Sequence, residues 1–383
     1  MRGALNLKCA VAWLGISAAA AAAGRPNIVM LMTDDQGVGD VGCYGSDRVR
    51  TPNLDRLAAE GMRFTRFYAP ASSCSPTRAG VMTGRSPLRL GIYTYIPGGS
   101  TMHVKRGERT VGSILRDAGY ATCFAGKWGL NGALDSKEQP QPGDHGFDHW
   151  FAAQNNATPS HRNPDCFFRN GAPLGVVTGY SAQIVVDEAI GWLNGRKADT
   201  RPFCLFVWFQ EPHRVVATPP EFSAPYRGRF PDGAPSGGSG GLSSGQKEAP
   251  TTADYLGNIA HVDHQVGRLM KTLADLGAER DTLVLFTSDN GPIEPGSTGG
   301  LRGGKGTLWE GGIRMPGILR WPAKVAAGQT CDVPVTGLDL LPTLCAIAGA
   351  PAPADRVLDG ESILPLLEGK PFRRTKPLFW WRL

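Results

Sequence analysis

Four apolar runs, Asn27–Thr33, Tyr120–Ala125, Phe203–Phe209 and Thr282–Thr287, constrain most strongly what this chain can fold into. Segments that are apolar at nearly every position, rather than at every second one, read as strands buried on both faces, the habit of parallel sheets. Between the runs lie amphipathic segments that read as helices: Asn53–Gly61, Thr110–Ala118, Ser181–Leu193 and Thr252–Leu276. In the last of these, Tyr255, Ile259, Val262, Val266, Leu269 and Leu273 recur at three and four residues, a helical stripe. The alternation predicts an α/β fold with a mostly parallel central sheet and helices on both faces. At 383 residues and 41% hydrophobic, the chain can bury one large core.

This architecture carries a positional rule, because open α/β sheets gather ligands beyond the carboxyl ends of their strands. Asp34-Asp35 follow the first run, Lys127 the second, Gln210–His213 the third and Asp289-Asn290 the fourth. Four polar clusters are therefore predicted to meet at one edge of the sheet. The pentapeptide Cys74-Ser75-Pro76-Thr77-Arg78, between a short apolar segment and a predicted helix, adds a candidate nucleophile.

The residue types at these places suggest their chemistry. Asp34, Asp35, Asp289 and Asn290 offer only hard oxygen ligands, which favours calcium, with magnesium the alternative, over zinc. Arg78, Lys127 and Lys305 are cations suited to a tetrahedral anion, and the glycines around Lys305 let backbone approach a ligand. His213 is a candidate proton donor to a departing oxygen. His261, Asp263 and His264 lie on the periodic helix and read as structural or solvated.

The first 23 residues read as a cleaved secretory leader: Arg2 and Lys8, then an apolar stretch from Cys9 to Ala23 that is short for a membrane span. Export with no stable membrane insertion is expected, to a periplasm or the outside of a bacterial cell. Removing Arg2 and Lys8 from the net charge of +6 leaves +4, and the basic residues are scattered, which argues against a nucleic-acid partner. Seven cysteines then remain, an odd number without a C-x-x-C pair, compatible with one or two disulfides and a thiol kept for chemistry. The Gly/Ser/Pro-rich segment 231–250 is expected to be a loop overhanging the site.

Taken together, Asp34-Asp35, CSPTR with Gly80, Thr83-Gly84-Arg85, Gly126-Lys127-Trp128, Gly146-Phe147-Asp148, Glu211-Pro212-His213, Ser288-Asp289-Asn290-Gly291 and Gly303-Gly304-Lys305-Gly306-Thr307 resemble the type I sulfatase family. The resemblance runs from Arg25 to about Trp381. It implies a catalytic domain over 24–365 and the start of a reduced or truncated C-terminal antiparallel subdomain over 366–383. It also implies hydrolysis of sulfate esters, on a sulfated carbohydrate or aryl ester. Cys74 would be oxidised to formylglycine by a maturation enzyme, and its hydrated aldehyde would bind the metal with Asp34, Asp35, Asp289 and Asn290. Arg78 would orient the nucleophile, Lys127 and Lys305 would contact sulfate, and His213 would assist the leaving group.

Two departures from the family pattern stand out. Where many sulfatases carry a histidine that deprotonates the formylglycine hydroxyl, this chain has Gly129. The second half-reaction then is slow or draws on another group, with His103, His145 and His161 as candidates. The chain also stops at Leu383, where relatives continue into a small antiparallel sheet. Two other functions are weighed against sulfate ester hydrolysis: phosphoester or phosphonate ester hydrolysis on the same scaffold, and non-catalytic binding of sulfated glycans.

Overall fold

The computed structural model describes residues 24–231 and 251–381. The leader expected at 1–23 and all but Pro231 of the segment 231–250 lie outside the described residues. The predicted runs form β1 (Asn27–Asp34), β3 (Ala121–Lys127), β7 (Phe203–Pro212) and β8 (Thr282–Ser288). They lie side by side and parallel, in the order β8-β1-β7-β3. β4 (His149–Ala153) extends the parallel set beyond β3.

The sheet is mixed at its flanks. β9 (Arg314–Arg320) runs antiparallel to β8 and to β2 (Met62–Tyr68). The short strands β5 (Phe167–Arg169), β6 (Ala172–Pro173), β10 (Gln329–Cys331) and β11 (Val335–Thr336) complete the two margins. Most of these flanking strands escape the apolar-run criterion because they are short or only partly buried; in β2, Arg63, Thr65 and Arg66 face outward or sit at intermediate depth, and in the buried β9 Pro316 and Gly317 interrupt the run.

Helices cover both faces. The strand pleat sends alternate side chains to opposite sides, and the core accordingly has two halves. Ile28, Met30 and Met32 of β1 share one half with Phe124, Phe206 and Trp208. On that side pack α2 (Cys74–Thr83), α3 (Val111–Asp117) and α6 (Leu340–Ala348). Val29, Leu31, Leu205 and Val207 point the other way, against α1 (Pro52–Ala59), α4 (Ser181–Gly195) and α5 (Thr252–Asp275).

Two buried carboxylates hold helix starts instead of doing chemistry. Asp263 of α5 accepts hydrogen bonds from the backbone N–H groups of Asn53 and Leu54, at 3.0 and 2.8 Å, and so caps α1. Glu211, at the end of β7, accepts from the N–H of Ala182 at 2.7 Å and from the Ser181 hydroxyl, which caps α4. His261 is likewise structural, bonded to Gln265 at 2.9 Å and packed on Phe222.

All seven described cysteines are free thiols. Beyond the single turn at Leu364–Leu367, residues 368–381 contain no strand. They are nonetheless tied down: Arg374 pairs with Asp339 and Glu361, and the Trp380 indole donates to the carbonyl of Ala69 at 2.7 Å.

Candidate active site

The carboxyl ends of the parallel strands open on one point. Asp34 is the last residue of β1, Lys127 of β3, and Asp289-Asn290 directly follow β8. β1 and β7 pair Met32 with Trp208 but Asp34 with Pro212, so β7 bulges there and carries Gln210–His213 around the same edge. Gly126 makes the approach of β3 feasible: its φ is +117°, and a Cβ there would lie 1.8 Å from the Trp208 carbonyl oxygen. Cys74 opens α2, where the positive end of the helix favours an anion, and is 4% exposed.

Charges are paired across this point. Arg78 lies one turn beyond Cys74 on the same helix face. Its guanidinium is fully buried, donates to Asp289 Oδ2 at 2.8 and 3.1 Å, to the Lys127 carbonyl at 3.0 Å, and lies 3.6 Å from Asp34. Lys127 Nζ bonds Asp34 Oδ2 and, at 2.7 Å, Asn156 Oδ1. Lys305 Nζ bridges both oxygens of Asp35 at 2.7 and 2.8 Å. Asn290 Nδ2 donates to Asp35 Oδ1 at 2.6 Å, and His213 Nε2 is 3.5 Å from Asp35 Oδ2.

These environments shift the titrations. Although burial works in the opposite sense, the Lys127 ammonium, His213 and the Arg78 guanidinium hold Asp34 well below the usual carboxylate range. Burial, joined by the charges of Asp34 and Asp35, pushes Asp289 up to about 7 against the pull of Arg78. Burial lowers His213 to about 4, while Asp35 keeps Lys305 firmly protonated in spite of desolvation.

The residues present suit a hard cation. Asp34 Oδ1 and Asn290 Oδ1 are buried oxygens with no hydrogen-bond partner, which leaves their lone pairs for another acceptor of electrons. Oxygens of Asp34 and Asp35 and a ring nitrogen of His213 lie within 4.8 Å of one another. Asp289 is more occupied: Oδ2 is taken by Arg78, and Oδ1 accepts from the backbone of Asp35 at 3.2 Å.

The structure thus brings Cys74, Arg78, Lys127, His213, Lys305, Asp34, Asp35, Asp289 and Asn290 to one place. It also adds Asn156, which the sequence reading missed. Asn156 follows β4, a fifth strand ending at the same edge, so the positional rule extended to the short run His149–Ala153 would have found it.

His103, His145 and His161 are the candidates to replace the base absent at Gly129. A Cβ at Gly129 would point at Arg78 Cδ, 3.2 Å away, and Ser75 Oγ, 3.6 Å away. His103 bonds the Thr101 carbonyl, and His145 packs on Trp128. His161 is buried, bonded to Asn258 and 3.9 Å from Glu211. Among the described residues no hydrogen bond or ion pair joins any of the three to Cys74. His161 lies within reach of the charges of Asp34 and Lys127.

Known proteins resemble this chain in sequence and fold. The sequence pattern of the Sulfatase family matches residues 26–350. N-acetylgalactosamine-6-sulfatase of Canis lupus familiaris is 34% identical over 394 residues, which take in 95% of this chain and 70% of that protein. Arylsulfatase A of Homo sapiens is 37% identical over 388 residues, covering 96% of this chain and 73% of its own. The crystal structure of Ps i-CgsB in complex with k-i-k-neocarrahexaose aligns with a TM-score of 0.82 at 27% identity, over 94% of this chain and 80% of that one. The chain belongs to the sulfatase family and is a sulfuric ester hydrolase.

Proposed function

We propose that this enzyme removes sulfate from carbohydrate esters with position 74 as its nucleophile, after a maturation enzyme reading Cys74, Pro76 and Arg78 has oxidised the thiol to formylglycine. The observation that supports this reading most is the convergence of Cys74 with three buried carboxylates and three cations at the sheet edge. Cys74 Sγ stands where the hydroxyls of the hydrated aldehyde would be. Asp34, Asp35, Asp289 and Asn290, with position 74, would hold a divalent cation, calcium by the oxygen-only donor set and magnesium as the alternative. When bound, it supplies polarisation of the sulfate oxygens.

The side chains of the protein then divide the work. Lys127 and Lys305 place ammonium groups where sulfate oxygens would lie, and the start of α2 adds backbone N–H groups. One hydroxyl on the carbon of residue 74 gives up its proton and attacks sulfur, the bond from sulfur to the sugar oxygen breaks, and His213 protonates that oxygen, so one proton leaves the nucleophile as one reaches the alcohol. An anionic ester beside His213 opposes the burial that lowers its pKa. The second hydroxyl next loses its proton, the aldehyde re-forms, and sulfate departs. A serine at this position, with a single hydroxyl, would have no such exit. The leader at 1–23 supports export to a periplasm or the medium, and among the described residues no helix is long and apolar enough to cross a membrane.

The test combines mass spectrometry of the peptide containing residue 74 with turnover of an aryl sulfate, an aryl phosphate and defined sulfated saccharides. An aldehyde at position 74, with sulfate release abolished in Cys74→Ala, supports the proposal. Full activity from an unmodified thiol, or faster cleavage of the phosphate, overturns it.

A further inference from the structure

Beside the catalytic residues the chain presents a cation and an indole that nothing in the chemistry above uses. Trp309 is 51% exposed, and the Arg302 guanidinium sits 3.6 Å from the centre of its ring. Arg302 is itself exposed, and among the described residues it has no acidic partner. Trp309 thus presents to solvent an indole that Arg302 covers on one face.

The pair is held firmly and close to position 74. Both residues flank Lys305, whose ammonium reaches Asp35. The backbone between them is pinned at several points: Lys305 N–H to the Pro292 carbonyl at 3.0 Å, Gly306 N–H to the Ser72 carbonyl at 2.8 Å, and Gly311 N–H to the Arg302 carbonyl at 2.8 Å. The tie to Ser72 sets this loop two residues from Cys74. Arg302 and Trp309 therefore stand at the base of the loop that carries Lys305 to Asp35, on backbone held in place by these bonds.

We propose that Arg302 and Trp309 form a subsite for the glycan next to the scissile ester, Trp309 taking the apolar face of a sugar ring and Arg302 a second anionic group, sulfate or carboxylate, on that sugar. A guanidinium stacked flat on an indole keeps its N–H edges in the ring plane, free to grip an oxyanion in bidentate fashion. The stacking also fixes the orientation of Arg302 in advance, so less freedom is lost on binding. An indole offers large contact area at small entropic cost, which is why Trp and Arg carry binding energy out of proportion to their number. An aryl sulfate bearing no second anion engages the catalytic residues but not this pair. The inference rests on the proposed action on carbohydrate esters, and it assigns selectivity for glycans with more than one anionic group.

Calorimetry of Cys74→Ala, which binds without turnover, against a panel of mono- and polysulfated di- to hexasaccharides of galactan and glycosaminoglycan type provides the test. Turnover of 4-nitrophenyl sulfate by the matured enzyme with position 74 intact is measured in parallel. The tightest polyanionic ligand should bind on the order of tenfold more weakly when Trp309→Ala or Arg302→Ala is added, while Trp309→Phe retains part of the affinity. Raising the salt concentration should erase the difference at Arg302 more than that at Trp309. Neither substitution should change 4-nitrophenyl sulfate turnover by more than about twofold. The subsite is overturned if no saccharide in the panel binds more tightly to the parent than to both variants, or if aryl sulfate turnover falls in step with glycan binding. Absence of any sulfate release by the parent enzyme, with glycan binding intact, would instead count against the proposed reaction.

Discussion

Replacing Lys127 by methionine tests the charge balance on which the site depends. Lys127 is fully buried between Asp34 and Asn156, and three cations face three carboxylates in this cluster. In Lys127→Met the chain keeps its bulk but Asp34 loses its nearest partner. The next cation, Arg78, is 3.6 Å away and spends its closer bonds on Asp289. Breaking a buried pair from one side costs about 3–5 kcal/mol. With unfolding entropy growing by about 2 cal/mol/K per residue, a domain of this size should lose about 4–7 °C in Tm. Differential scanning calorimetry in a chelator should show that loss. Added calcium should then raise the Tm of the variant by more than that of the parent, since a cation restores the missing positive charge. Sulfate ester turnover should fall by roughly 10²–10³. An unchanged Tm in chelator, or a calcium response no larger than that of the parent, would refute the reasoning.

Two further outcomes follow from the geometry of the fold. In Gly126→Ala the new Cβ falls 1.8 Å from the Trp208 carbonyl in a left-handed backbone, so stability should drop by on the order of 3 kcal/mol in a denaturant titration, and a loss below about 0.5 kcal/mol contradicts the close strand approach. Burial pushes the Asp263 carboxyl up to about 6, above its unfolded value of 3.8, so the folded state holds the proton more tightly and Asp263 makes stability decline as pH rises from about 4 to about 6. Asp263→Asn should remove that component, so the Tm of the variant relative to the parent should rise across this window; a difference independent of pH would show that the group titrates normally.

Asp34-Asp35, Lys127, His213 and Asp289-Asn290 were legible because each follows a run apolar at nearly every position, and a buried parallel strand can end only at the sheet edge where its neighbours end. The flanking strands were not, because β2 mixes polar with apolar positions and β9 carries Pro316 and Gly317 within its run. Asn156 was hidden behind a strand of five residues, too short to stand out from a loop.

The sequence by itself determined the central layer, the residues at its carboxyl edge and the turn of helix that sets Arg78 below Cys74, since period and local spacing are properties of the chain alone. Tertiary structure decided who partners whom. Arg78 is shared between Asp289 and Asp34, which lie 211 and 44 residues away along the chain in opposite directions, and no local pattern encodes that choice. The same holds for Asp263, which lies on a stripe suggesting a solvated or structural helix face and proves to be the cap of α1. Such pairings arise only when packing brings distant segments together and strips their polar groups of water, so that each must take whatever partner the fold supplies.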